Sequence, residues 1–128
     1  MKIKSIHHIA IITDDYEKSK KFYTEVLGFE IVREVYRNER DSYKLDLSVN
    51  GKYQIELFSF PHPRERGSHP ESKGLRHLAF AVDNIEEQVK ELKSKGVEVE
   101  DIRIDEYTNK KFTFFSDPNG QPLELYEE

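Results

Sequence analysis

Two histidines and two glutamates recur at matched positions along the chain, and imidazole and carboxylate groups are common ligands of divalent metal ions. His8 stands in the segment IHHIAII, and His77 follows 69 residues later in LRHLAFAV. Glu56 stands in YQIELF, and Glu124 follows 68 residues later in PLELYEE. One histidine and one glutamate in each copy predict a single metal site that is built from two halves.

The repeat extends beyond these four residues and indicates two modules of the same kind. Residues 6–10 match residues 75–79, Asp14 matches Asp83, and Gly28 matches Gly96. In each copy an apolar strand is followed by a helix with apolar residues at i, i+3/i+4 and i+7, and then by three more strands. We therefore predict an α+β protein with two tandem βαβββ modules at residues 1–60 and 74–128. The segment 61–73, rich in Pro, Ser and charge, is predicted to be a linker.

Turn and capping signals set the bounds of these elements. We predict that Asp14 and Asp83 cap the two helices and that Asn50-Gly51 forms a tight hairpin turn. The apolar helix positions predicted to be buried are Tyr16, Phe22, Tyr23, Val26 and Leu27 in the first helix and Ile85, Val89 and Leu92 in the second. The predicted strands are 6–13, 30–37, 41–49 and 53–60, then 75–82, 98–104, 111–116 and 122–126.

Strand alternation predicts which face each candidate ligand uses. His8 shares a face with Ala10, whose small side chain leaves room for a bound group, and His7 is expected on the opposite face. Ala79 has the same relation to His77. A glutamate between buried apolar neighbours, as Glu56 and Glu124 are, is costly unless it is paired or metal-bound. The alternative is that all four residues are polar positions on a solvated sheet face.

Composition excludes several other kinds of function. The chain has 128 residues and a net charge of −5, which argues against a general nucleic-acid binder. No apolar run is long enough to span a membrane, and no signal peptide is evident, so a cytoplasmic location is expected. With no Cys, any metal must be bound through nitrogen and oxygen. Two imidazoles and two carboxylates suit Ni, Co, Mn, Fe(II) or Zn, and ligand type does not choose among them.

The motifs HHIAI, FYTEVLGFE, YQIELF, LRHLAFAV and FSDPNGQPLELYE, which span the whole chain, resemble the vicinal oxygen chelate superfamily. This superfamily includes glyoxalase I, fosfomycin-resistance proteins, extradiol dioxygenases and bleomycin-resistance proteins. The chain is most similar to small bacterial glyoxalase-I-like members, often described as YaeR-like. The resemblance implies a curved eight-stranded mixed sheet around the metal and a homodimer in which modules of the two chains share sites.

When the metal-ligand positions of glyoxalase I are matched to this chain by motif, the resemblance implies that the four ligands are His8, Glu56, His77 and Glu124. Retention of Glu56 favours the glyoxalase branch over fosfomycin-resistance proteins and dioxygenases, which do not need a ligand there. The implied reaction is a lyase or isomerase step on a small vicinal-oxygen substrate, such as a thiol adduct of a 2-oxoaldehyde. It proceeds by proton transfer through a metal-stabilised enediolate. Glu124 is the implied base, with Glu56 as its counterpart.

The chain departs from bacterial glyoxalase I where that enzyme holds glutathione. Ile12 and Phe60 stand at the positions of an Arg and an Asn that bind glutathione there, so we expect a different best substrate. Other residues are candidates for binding a charged substrate, although a solvated face is the simpler interpretation of each: Tyr36, Arg37, Arg40, Arg103, Tyr107, Lys110 and Lys111. Two alternative functions are a small-molecule binding or resistance protein without turnover and an Fe(II) dioxygenase of the extradiol type.

Overall fold

The computed structural model describes all 128 residues and divides into two compact units, Met1–Arg64 and Glu65–Glu128. The first unit contains β1 (Ile9–Thr13), α1 (Tyr16–Lys21), β2 (Glu30–Arg37), β3 (Ser42–Val49) and β4 (Lys52–Ser59). The second contains β5 (Leu78–Val82), α2 (Ile85–Ser94), β6 (Arg103–Ile104), β7 (Lys111–Ser116) and β8 (Pro122–Glu127). The predicted α+β class and the repeated βαβββ order are confirmed. None of the helices has the length and apolar character that a membrane crossing would require.

Each unit forms a four-stranded mixed sheet with the same topology. The strand order is β1-β4-β3-β2 in the first unit and β5-β8-β7-β6 in the second. The opening strand of each unit pairs in parallel with the closing strand, and the other pairs are antiparallel. The closing strand therefore lies between two neighbours, which places Glu56 and Glu124 inside their sheets.

One face of each sheet is covered by the helix of that unit. In the first unit the buried strand residues of this face are Ile11, Leu45, Leu47, Ile55 and Leu57. The helix α1 contributes Tyr16, and a π-helical turn that continues it, Phe22–Val26, contributes Phe22 and Tyr23. In the second unit Ile85, Val89 and Leu92 of α2 are buried with Phe115, Leu123 and Leu125. Of the predicted helix core, Val26 and Leu27 are only half-buried. The opposite sheet face, which we call the open face, carries the candidate ligands.

The helix caps and several strand ends differ from the prediction. The capping side chains are Asp15 and Asn84, which accept from the backbone N–H of Lys18 and Glu87. Asp14 instead accepts from the adjacent Asp15 N–H, so the D-x-x-E pattern placed both caps one residue too early. The predicted strand 98–104 is reduced to two residues and an isolated bridge at Val99. The Asn50-Gly51 turn is confirmed, with φ values of 50° and 80°.

Candidate metal centre

In the first unit, His8 and Glu56 come together on the open face. His8 Nε2 lies 3.1 Å from Glu56 Oε2. The glutamate is only 7% exposed, whereas the His8 side chain is 40% exposed. Ala10 stands directly opposite Glu56 in the parallel β1–β4 ladder. Because alanine carries only a methyl group, the carboxylate is not covered from that side.

The second unit repeats this arrangement closely. His77 Nε2 lies 2.9 Å from Glu124 Oε2, and Glu124 is 8% exposed. Ala79 is opposite Glu124 in the parallel β5–β8 ladder. The same residue types therefore meet at the same ladder position in both units.

Both pairs suit two neighbouring ligands of one divalent ion. Two donor atoms that each bind an ion at about 2.1 Å and at a right angle to one another are separated by about 3 Å. The N···O separations of 3.1 and 2.9 Å match this spacing. The structure brings together two of the four predicted ligands in each unit, and nowhere gathers three or more His, Asp or Glu side chains at metal-binding spacing.

Both histidines lie just outside the strands in which they were predicted. The ladders begin at Ile9 and Leu78, one residue after each histidine, and residues 1–8 are all exposed. Strand alternation therefore does not govern this segment, and the prediction that His7 faces away from His8 was wrong. The Nδ1 atoms of His7 and His8 are 2.8 Å apart. His77 Nδ1 has a similar neighbour in Arg76 Nη1, at 3.3 Å.

Glu56 is further held by a tyrosine and a lysine. Tyr53 donates its hydroxyl hydrogen to Glu56 Oε2 at 2.7 Å, and Lys44 Nζ lies 3.4 Å from Glu56 Oε1. Burial, together with the hydrogen bond to this carboxylate, raises the pKa of Tyr53 well above its usual range. The phenol is therefore a permanent donor at neutral pH, and it fixes the direction of the carboxylate.

A buried aspartate completes this network. Asp46 is 1% exposed and stands opposite Glu56 in the β3–β4 ladder. Lys44 Nζ is 2.6 Å from one of its oxygens, and Arg33 donates to the other at 2.9 and 3.1 Å. Burial alone would raise the pKa of Asp46, but the hydrogen bonds from Lys44 and its other donors outweigh burial and lower it. Asp46 is thus an anion that holds two cations beside Glu56.

Glu124 has aromatic neighbours where Glu56 has charged ones. Phe114 occupies the ladder position opposite Glu124, and its ring also meets the His77 ring edge-on at a centroid distance of 5.1 Å. Phe112 lies beside Phe114 in a second edge-on contact. The side-chain partner that the structure gives the Glu124 carboxylate is His77. The two glutamates of the repeat therefore differ in how firmly they are held.

Comparison with known proteins gives a family. The sequence profile of the Glyoxalase/Bleomycin resistance protein/Dioxygenase superfamily matches residues 5–125. The chain belongs to this superfamily. It is 62% identical over 128 residues to the uncharacterized protein YwkD of Bacillus subtilis, with full coverage of both chains. It is 60% identical over 126 residues to the uncharacterized protein YaeR of Escherichia coli, with 98% coverage of both. The resemblance to YaeR-like members is thereby confirmed.

A solved structure and two more distant relatives extend the comparison. The crystal structure of a glyoxalase family protein from Enterococcus faecalis superposes with a TM-score of 0.90 at 49% identity, covering 97% of this chain and 98% of that one. A lactoylglutathione lyase of Schizosaccharomyces pombe is 26% identical over 148 residues, a match that takes in 100% of this chain and 49% of the yeast protein. The metallothiol transferase FosB of Staphylococcus saprophyticus is 28% identical over 130 residues, covering 97% of this chain and 77% of FosB.

The other residues predicted to bind a charged substrate have varied surroundings. Arg37 lies over the rings of Phe58 and Phe60 on the open face, while Ile12 on the same face is 55% exposed. The remaining candidates are engaged elsewhere or lie at the surface: Tyr36 donates to Asp41, Lys111 pairs with Glu86, Arg103 pairs with Glu100, and Arg40, Tyr107 and Lys110 are exposed.

Three residues of the site, Tyr53, Lys44 and Asp46, were not identified from the sequence. A signal was present for two of them. Lys44 and Asp46 alternate with Leu45 and Leu47, as Glu56 alternates with its apolar neighbours, so they share the open face. Tyr53 carried no such signal, because a register shift at Leu47/Ser48 changes its position relative to β3.

Proposed function

We propose that the protein is a metal-dependent, glyoxalase-I-like lyase or isomerase that acts on a small substrate with two adjacent oxygens. The observation that carries the proposal is the duplicated His–Glu pair, present at the same ladder position in both units. Membership of the superfamily and similarity to a lactoylglutathione lyase support it. The proposed metal ligands are His8, Glu56, His77 and Glu124, the metal is Ni, Co, Zn, Mn or Fe, and the proposed location is the cytoplasm.

The donor set supports this reaction class. A divalent ion in such a site supplies Lewis-acid stabilisation of the negative charge that develops on two neighbouring oxygens. Proton transfer between adjacent carbons then needs a carboxylate that can approach, accept and return a proton. No proton is lost overall: the base takes a proton from the carbon that bears the hydroxyl group and delivers it to the neighbouring carbon, while the hydroxyl proton passes to the former carbonyl oxygen.

The proposed base is Glu124. Glu56 is held by Tyr53 and Lys44, so its movement would break two polar contacts. Glu124 has only His77 as a partner and Phe114 opposite. A carboxylate among aromatic rings is freer to turn than one that a hydroxyl and an ammonium group hold. In this division, Glu56 remains an anionic ligand and Glu124 moves the proton.

Metal content and activity together test the proposal. The purified protein should contain about one divalent ion per complete ligand set by elemental analysis, and it should isomerise one of a panel of methylglyoxal–thiol adducts. Glu124→Gln should lower kcat by at least about 10²-fold and change metal affinity less than Glu56→Gln does. Glu98→Gln, at an exposed position, is the matched control.

The test also separates the alternative functions. A metal-free protein that binds small molecules without turnover would be a sequestering protein, and oxygen consumption with a catechol would indicate a dioxygenase. Either result would overturn the isomerase proposal.

We also propose that the protein is a homodimer. The open face of the first unit displays Ile12 and Val35, which are 55% and 40% exposed, beside two ligands of an incomplete set. Apolar residues around such a half-site are typical of a face that another module covers. Light scattering should give twice the chain mass of 15.2 kDa at micromolar concentration. A monomeric mass would contradict the proposal.

A further inference from the structure

The open face of the first unit contains one cation without a counter-ion. Three basic residues lie on this face, and Arg33 and Lys44 are both paired with Asp46. Arg37 has no carboxylate within salt-bridge distance. Its guanidinium contacts one side-chain oxygen, Ser42 Oγ, to which Nη2 donates at 2.9 Å.

The Arg37 side chain is nevertheless held in one place. Its guanidinium carbon lies 4.9 Å from the ring centre of Phe58 and 5.7 Å from that of Phe60. Ser42, which anchors Nη2, is fully buried. An arginine that is stacked and anchored loses little further freedom when it binds a ligand.

The same side chain has a donor that no protein group satisfies. Arg37 Nε is buried and has no hydrogen-bond partner, and leaving such a donor unpaired is unfavourable. Arg103 makes a useful contrast, because its guanidinium lies over Phe112 and Phe114 at the same 4.9 and 5.7 Å. However, Arg103 Nη2 is 3.5 Å from Glu100 Oε1. The two arginines therefore share a stacking geometry, although Phe58 lies on β4 and Phe112 and Phe114 lie on β7. Of the two, only Arg37 keeps its charge free for another anion.

We propose that Arg37 binds an oxyanion group of the substrate, a carboxylate or a phosphate, at the end remote from its two adjacent oxygens. This inference rests on the proposed function, since it places both groups of one substrate on the same sheet face. Phe58 is two residues from Glu56 along β4, a rise of about 7 Å. The anion would therefore lie about 7–10 Å from the Glu56 carboxylate, which a chain of four to six atoms can span.

Calorimetric titration of the Ni²⁺-loaded protein tests the inference with two six-carbon 2-hydroxy acids. 2-Hydroxyadipate has a carboxylate tail, and 2-hydroxyhexanoate has a methyl tail. The wild-type protein should bind the diacid about 10–100-fold more tightly, as expected for a hydrogen-bonded charge pair. The affinity of a third compound, 2-hydroxy-5-phosphonopentanoate, relative to that of 2-hydroxyadipate shows whether the protein prefers a tetrahedral anion to a planar one.

Substitutions test whether Arg37 causes the preference for the diacid. Arg37→Gln should abolish the preference for the diacid, Arg37→Lys should keep part of it, and Arg64→Gln, at an exposed arginine of the same unit, should keep it all. The lysine variant retains the charge, so it tests the inference even if the glutamine variant does not fold. Equal binding of both acids by the wild type, or an unchanged preference in Arg37→Gln, would overturn the inference.

The anion site can be tested separately if the metal proposal fails. If the protein binds no Ni²⁺, the metal-free protein is titrated with glutarate and with inorganic phosphate. Binding that Arg37→Gln weakens at least 10-fold would support the anion site without the metal function. Absence of such binding would overturn the anion site as well.

Discussion

Glu56 and Glu124 occupy equivalent places in the repeat, but their surroundings give them different chemical properties. Tyr53, Lys44 and Asp46 surround Glu56 with hydrogen bonds and paired charges. Phe114 occupies the position next to Glu124 that Asp46 occupies next to Glu56. Residues that orient a metal ligand commonly matter nearly as much as the ligand itself. In the proposed metal site, a duplicated His–Glu pair can therefore take two roles without any change in the residues themselves.

Removal of the Tyr53 hydroxyl should weaken metal binding. In Tyr53→Phe the Glu56 carboxylate loses the 2.7 Å hydrogen bond that fixes its direction, and we expect metal affinity to fall about 10–100-fold. Competition titration of Ni²⁺ against a coloured chelator measures the change. Tyr107→Phe is the control, because Tyr107 is 89% exposed. Unchanged affinity in Tyr53→Phe would mean that Tyr53 does not orient the ligand.

At the scale of elements, α1 is tied to β2 by an acidic side chain. Glu34 Oε2 accepts from Lys20 Nζ at 2.7 Å and from the Tyr16 hydroxyl. The hydrogen bond from Lys20, followed by that from Tyr16, lowers the pKa of Glu34 below its ordinary value of 4.5. This contact joins the helix to the edge strand of the sheet.

Acidification should loosen this contact. Because the pKa of Glu34 is lower in the folded chain than in the unfolded one, its stabilising effect is complete above pH 4.5 and is lost as the pH falls through the folded-state pKa. Glu34→Gln should therefore lower Tm at pH 7 and lower it less at pH 3. The loss should stay below about 1 kcal/mol, since the pair is partly exposed. Thermal melts across this range, with exposed Glu39→Gln as control, measure it; equal losses at both pH values would contradict the assignment.

The central strand of the first sheet should tolerate truncation poorly. Leu57 has no exposed surface and lies between Ile11 and Leu45 in the ladders. Leu57→Ala should cost about 2–5 kcal/mol of unfolding free energy, because it removes buried contacts and leaves a cavity. Ile12→Ala, on the open face at 55% exposure, should cost much less in the separated chain. Urea denaturation of both variants provides the comparison, and equal losses would contradict the assignment of the covered face.

The elements that the sequence predicted best are those with strong periodic signals and clear turns. The strands 30–37 and 111–116 have the predicted ends; Gly28 precedes the first of them and Asp117 follows the second. Predictions failed where tertiary pairing decides the structure. Whether His7 lies on the same side as His8 depends on where the parallel β1–β4 ladder begins. The length of β6 depends on how many of its residues pair with β7. Local residue pattern contains neither fact.

The two His–Glu pairs were predictable because they occur in both copies of the repeat. His–His and Glu–Glu matching identified both pairs, and their approach within each unit follows from strand order. The network around Glu56 was harder to find, since the second copy has no counterpart for it. Internal comparison detects what two copies share, and Lys44 and Asp46 belong to one copy alone.

At the scale of the whole molecule, glutathione adducts should be poor substrates. Ile12 and Phe60 offer no charge to the two carboxylates of glutathione, and Arg37 can pair with only one of them. A lost charged hydrogen bond costs about 1–3 kcal/mol. We therefore expect kcat/KM for the methylglyoxal–glutathione adduct to be about 10–10²-fold below that for the best substrate. Steady-state kinetics over a thiol panel checks this. A value near ~10⁶ M⁻¹s⁻¹ with glutathione would contradict it and would mean that other cations hold the peptide.

The hydrogen bond between Tyr53 and Glu56 has an optical consequence. The chain contains seven tyrosines and no tryptophan, so its near-ultraviolet fluorescence arises from phenol side chains alone. The Tyr53 ring lies 5.5 Å from the His7 ring and 6.1 Å from the His8 ring. A paramagnetic ion such as Co²⁺ held by His8 and Glu56 would therefore quench Tyr53 far more than the tyrosines packed against α1. Intrinsic emission thus offers a label-free signal of occupancy at the first half of the site, and Tyr53→Phe should remove most of it.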